Sequence, residues 1–123
     1  LTVLVDTSVW IRSAIGRSPY DVELALLLSG ERVVAHELVY GELLIGDLGG
    51  RAKMLRSYEL IPRLDRVPHS VVVDFARANR LHGRGVSWID VHLLASTIAS
   101  RCLLWTADSS LATIASGLGV AYR

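Results

Sequence analysis

Four carboxylates stand where they could do chemistry together. Asp6 closes the apolar run Leu1-Thr2-Val3-Leu4-Val5, and Asp108 follows Cys102-Leu103-Leu104-Trp105 across Thr106-Ala107. Short apolar runs of this kind read as strands buried on both faces. Residues just past such strands line the crevice where open α/β sheets bind ligands. Glu42 lies between Leu38 and Ile45 on the apolar stripe of a helix expected over 36–45, where a carboxylate is costly unless paired or given a ligand. Asp90 falls in the first turn of a helix opened by Ser87-Trp88-Ile89. Plain structural roles compete for three of the four. Ser87-x-x-Asp90 resembles a capping box, Asp108 or Ser109 could cap the last helix, and Asp6 or Ser8 the first. Glu42 has no capping role open to it.

Brought together, such acids repel, and each raises the pKa of the next unless a cation intervenes. An all-oxygen ligand set suits Mg²⁺ or Mn²⁺, which usually keeps several waters and is completed by substrate phosphate. That ion can activate water and stabilise charge on a phosphodiester. The hydroxyls of Thr7, Ser8 and Thr106, beside the acids, could bind a metal-bound water or a phosphate oxygen. Of thirteen basic residues only Lys53 is lysine, and arginine's planar fork suits phosphate. Arg12 and Arg84, the latter held between Gly83 and Gly85, are the candidate contacts to phosphate or a protein partner. His36, His69, His82 and His92 show no metal-ligand spacing; His92, two residues past Asp90, reads as a packed or interface histidine. Trp10, Trp88 and Trp105 adjoin three of the acids, but core packing or a dimer contact explains them before base stacking does.

The elements that must position these residues alternate. Strands are expected over 1–5, 32–35, 65–67, 102–105 and 119–122, with helices over 7–14, 21–28, 36–45, 51–60, 68–81, 88–100 and 109–116. Such alternation predicts one domain over 1–123: a three-layer α/β/α arrangement around a parallel sheet of four to five strands. The apolar fraction of 51% is high, as is the mean hydropathy of +0.40. No apolar run approaches the ~18–20 residues of a membrane span, and Asp6 interrupts the first run too early for a secretory signal. The surplus apolar residues therefore suit a two-sided sheet and a subunit interface. The single cysteine, Cys102, fits a reducing cytoplasm. There is no P-loop, nucleophile elbow or Cys/His zinc pattern.

Four segments carry a family resemblance: Val-Asp-Thr-Ser-Val-Trp at 5–10, Gly-Glu-Leu-Leu-Ile-Gly at 41–46, Trp-Ile-Asp-Val-His-Leu-Leu-Ala-Ser at 88–96 and Leu-Trp-Thr-Ala-Asp at 104–108. Together with Leu-His-Gly-Arg-Gly at 81–85, they resemble PIN-domain ribonucleases, and more closely the VapC toxins of type II toxin–antitoxin pairs. The resemblance implies a PIN-like fold and a metal-dependent endoribonuclease acting on structured RNA of the transfer or ribosomal class. It also implies a homodimer restrained by a VapB-like antitoxin whose tail crosses the acidic groove. The family's acids fall on Asp6, Glu42, Asp90 and Asp108. The chain departs from many PIN domains at Ser110, where a further acid is common, and at Ala107 and Ser109, where basic residues are frequent. A full second metal site and part of the usual RNA grip are therefore not implied. Two other readings compete. One is a receiver-type phosphoacceptor, which would want a second acid where Thr7 stands. The other is a catalytically silent PIN fold acting as a binding module.

Overall fold

The computed structural model describes residues 1–123. In chain order it comprises β1 (Val3–Val5), α1 (Thr7–Ala14), α2 (Tyr20–Ser29), β2 (Val33–Val34), α3 (Glu37–Ile45), α4 (Ala52–Tyr58), α5 (His69–Ala78), α6 (Trp88–Ala99), β3 (Leu103–Trp105) and α7 (Ser109–Gly117). The strands run in parallel in the order β2-β1-β3. Val3 faces Val33 and Leu103, and Val5 faces Trp105. Val3, Leu4 and Val5 are all fully buried. Successive strand residues point to opposite faces, so both faces of the sheet are covered by helices, as expected for a parallel sheet.

Where four to five strands were expected, three form, and the outer two positions shrink to single parallel bridges. Ala35 pairs with Arg63 and Leu104 with Ala121. At the first edge, Ala35 donates to the Pro62 carbonyl at 2.8 Å and Leu64 donates back to Ala35 at 2.9 Å. Pro62 has no N–H of its own to extend a ladder. The pairing also comes slightly earlier than the stretch 65–67. At the other edge, Tyr122 donates to Leu104 and Leu104 to Val120, while Gly119 at φ +73° turns the chain just before. The helix expected over 68–81 stops at Ala78, because Arg80 adopts φ +51°. The helix expected over 51–60 spans Ala52–Tyr58.

The core also contains a polar cluster that sequence patterning did not reveal. Buried His36 caps α3: its Nδ1 accepts from the Leu38 N–H at 3.0 Å, and its Nε2 lies 3.0 Å from Ser96 Oγ. Since Nδ1 accepts, Nε2 carries the proton and donates to Ser96. The Tyr58 hydroxyl accepts from the His36 N–H at 2.9 Å. Burial pushes the His36 pKa down and the Tyr58 pKa up to about 12. Cys102 is buried, as expected for a small hydrophobe in this fold. No helix is long and apolar enough to cross a membrane.

Candidate active site

Pairing of β1 with β3 places Asp6 and Asp108 at one end of the sheet. The Asp6 N–H donates to the Trp105 carbonyl at 2.8 Å, continuing the ladder past the strands. Asp6 is 5% exposed, and its Oδ2 accepts from both Ser8 Oγ and Thr106 Oγ1, each at 2.7 Å. Those hydroxyls accept in turn: Ser8 Oγ from the Ala107 N–H and Thr106 Oγ1 from the Asp108 N–H, both at 3.0 Å. Each hydroxyl proton is therefore committed to Asp6, and the 3.3 Å Ser8–Thr106 approach is a contact between two spent donors. Thr7, the first residue of α1, spends its own proton on Glu42 Oε1 at 2.7 Å. In this geometry the three hydroxyls orient carboxylates instead of offering protons to a water or phosphate.

The other two acids perform the capping duties open to them without being used up by them. Asp90 Oδ2 accepts from the Ser87 N–H at 2.9 Å while Ser87 Oγ accepts from the Asp90 N–H at 3.1 Å, a full capping box. Asp108 Oδ1 accepts from the Ser110 N–H at 2.9 Å and the Leu111 N–H at 3.4 Å. Each of the four carboxylates thus has one oxygen fixed and one without a protein partner: Asp6 Oδ1, Glu42 Oε2, Asp90 Oδ1 and Asp108 Oδ2. Capping and a catalytic role are compatible because they use different oxygens.

The acids also feel one another. Burial raises the Glu42 pKa, the Thr7 bond lowers it, and the charges of Asp6 and Asp90 raise it further. Burial likewise raises that of Asp90; the Ser87 bonds oppose this, and the charges of Asp6 and Asp108 add to it. Glu42 on α3 is therefore in electrostatic reach of Asp6 and Asp90, and Asp90 on α6 in reach of Asp6 and Asp108. No three of the four converge tightly enough to cage an ion unaided. The donor set still fits Mg²⁺ or Mn²⁺, since such ions are held by one or two carboxylates with waters and substrate phosphate filling the shell.

Arg12 lies one turn along α1. Its Nη1 donates to the Ser8 carbonyl at 3.2 Å, and its guanidinium stands 5.8 Å from the Tyr20 ring centroid. Arg84 is exposed in a loop shaped by Gly83 at φ +67° and Gly85 at φ +77°. A Cβ on Gly85 would come within 3.2 Å of Ser110 Oγ. The loop therefore docks on the start of α7, close to Asp108. Of the tryptophans, Trp10 and Trp105 are core residues at 6% and 9% exposure. Trp88 is 43% exposed and packs edge-on against His69 and His92.

Fold and site together define an α/β domain with Asp6 and Asp108 at its parallel strand ends and Glu42 and Asp90 on neighbouring helices. The PIN-domain family model matches residues 3–117. Ribonuclease VapC32 of Mycobacterium tuberculosis, in strains CDC 1551 / Oshkosh and H37Rv alike, is 33% identical over 120 residues, covering 97% of this chain and 94% of the relative. FitAcB from Neisseria gonorrhoeae superposes with a TM-score of 0.62 at 23% identity, over 98% of this chain and 95% of that one. PAE2754 from Pyrobaculum aerophilum gives 0.60 at 17% identity, over 97% and 96%. The chain belongs to the PIN-domain family, among its VapC-type members. The receiver-type alternative is thereby set aside.

Proposed function

We propose that this protein is a divalent-metal-dependent endoribonuclease, the toxin half of a toxin–antitoxin pair, acting on structured RNA of the transfer or ribosomal class. One observation carries the reading. Four carboxylates from distant parts of the chain each keep one oxygen without a protein partner while the other is tied down by local hydrogen bonds, and Glu42 and Asp90 feel the charges of the other acids. A bound Mg²⁺ or Mn²⁺ would supply water activation and stabilisation of phosphate charge. Asp6, Asp90 and Glu42 would hold it, with Asp108 completing or orienting the shell. Ser8 and Thr106 keep Asp6 in one rotamer, and Thr7 does the same for Glu42. Burial and the neighbouring charges raise the pKa values of Glu42 and Asp90, so a bound cation would relieve an unfavourable charge at both. Arg12 and Arg84 would grip the RNA backbone, so binding should weaken steeply with salt.

Partners follow from the same reading. Ile15, Val22, Leu26, Leu44, Ile45 and Leu48 are exposed, which suits contact with a second copy and with a VapB-like antitoxin. A cytoplasmic setting agrees with the free Cys102. The decisive assay is cleavage of purified RNA by the chain and by Asp6→Asn, with and without EDTA. Metal-dependent cutting lost in the variant supports a nuclease. RNA affinity without cleavage by the unaltered chain supports a silent binding module instead. End-mapping of cellular RNA after brief expression would identify the cut.

A further inference from the structure

A second pocket opens beside the acids, on a different face of α6. It is half open, has a volume of about 530 Å³ and is lined by Leu38, Arg66, Pro68, His69, Trp88, Ile89 and His92. Leu38 stands one turn before Glu42 on α3, and Ile89 immediately precedes Asp90. One helical turn is about 5.4 Å, so the pocket adjoins the crevice at a spacing one nucleotide can bridge.

Its chemistry is distinctive. Trp88 is held by edge contacts from His69 at 5.4 Å and His92 at 5.1 Å between centroids. It still leaves 43% of its surface open, unlike the other two tryptophans. A fixed, half-open indole is a stacking platform whose conformational entropy is already spent. Arg66 supplies charge: its Nε pairs with Glu37 Oε1 at 3.0 Å, its side chain is 72% exposed, and neither Nη has a protein partner. Glu37 pairs with the Nε edge of this guanidinium only. The pocket thus offers an aromatic surface and two free cationic donors within a volume suited to a small ligand.

We propose that this pocket is a nucleobase subsite: Trp88 stacks on an unpaired base flanking the scissile phosphate, and Arg66 holds that nucleotide's backbone phosphate. The inference rests on the nuclease reading and adds to it a requirement for one splayed, single-stranded base next to the cut. A stacked base is sequence-tolerant, so the subsite selects unpaired over paired RNA more than it selects a letter.

The test uses the full chain carrying Asp6→Asn and a short single-stranded oligoribonucleotide. Trp88 is the only half-exposed tryptophan, so acrylamide quenching of fluorescence reports chiefly on it, and bound RNA should shield it. Trp88→Leu should weaken binding about 5- to 150-fold, the range measured for one base–aromatic stack, and Trp88→Phe should recover most of that. Arg66→Gln, at a position 72% exposed, should weaken binding and reduce the log-log salt slope by about one. Unchanged affinity in Trp88→Leu and Arg66→Gln, with RNA still bound by the parent, overturns the subsite and leaves the nuclease reading standing. A parent chain that neither binds nor cuts RNA overturns both. If Trp88→Leu converts a dimer to a monomer by light scattering and each protomer keeps its RNA affinity, the pocket is a subunit contact and the subsite is wrong.

Discussion

The acidic crevice and the His36 cluster are both polar sites built into an apolar fold, and they differ in what is left over. Around His36, ring nitrogens, the Ser96 hydroxyl and the Tyr58 hydroxyl find partners within the protein. The cluster's polar groups are spent on one another, and it fastens the start of α3 to α6 and to the last residue of α4. In the crevice, each carboxylate is half satisfied: one oxygen is anchored and the other is open. A closed network specifies structure, whereas a half-open one of like charge stores repulsion that a cation can relieve. Burial acts on both regions, lowering the His36 pKa and raising those of Glu42 and Asp90.

Breaking the comparison at its sharpest point should give the largest effect. Asp6→Asn is expected to lower RNA cleavage by a thousand-fold or more, since an ion's contribution to such a transition state is about several kcal/mol. The folded structure should survive it, with melting temperature in EDTA unchanged or raised, because the substitution removes a repelling charge. His36→Ala is expected to do the reverse. It strands the Leu38 N–H and the Ser96 hydroxyl and opens a cavity, at a cost of about 2–4 kcal/mol in urea unfolding. Cleavage per folded molecule should remain near that of the parent.

Smaller effects sharpen the contrast. Thr7→Val keeps the shape beside Glu42 and removes its anchor. Losses of about 10- to 100-fold in metal affinity or activity are typical when a ligand-orienting partner goes, with little change in stability. Acidity should separate the regions in metal-free protein. The His36 pKa is lower folded than unfolded, so the unfolded chain takes up the proton first, and stability falls as pH drops below about 6.5. Burial, with the charges of neighbouring acids, raises the folded pKa values of Glu42 and Asp90, so their ionisation costs stability above those values and the cost is relieved as pH falls toward their ordinary 4.5 and 3.8. Urea midpoints between pH 7 and 4 should therefore decline less steeply in the parent than in Glu42→Gln, which lacks one compensating group.

The sequence made the crevice legible because its parts are marked locally. Asp6 follows a strand with every residue buried, and Glu42 lies on an apolar stripe. The parallel alternation of elements then puts the ends of β1 and β3 on the same side of the sheet. The edges of the sheet were less legible. Arg63 and Ala121 each form a single bridge, and one bridge leaves no period in the residue pattern. The hydroxyls were visible as neighbours of the acids, but the direction of their protons is a matter of three-dimensional bonding. His36 was missed as a cap because capping usually falls to Ser, Thr, Asp or Asn. Its position two residues before Leu38, ahead of an apolar helix, was the available signal. Trp88 begins an apolar helix like a core residue, and its 43% exposure appears only in the folded chain.

The most direct measurement is Mn²⁺ binding followed by electron paramagnetic resonance, in the parent chain and in Asp6→Asn, Glu42→Gln, Asp90→Asn and Asp108→Asn. Tight binding in the parent, weakened by every one of the four substitutions, is the expected result. Equal Mn²⁺ affinity in the parent and in Glu42→Gln or Asp90→Asn would contradict a single ion shared among the four acids.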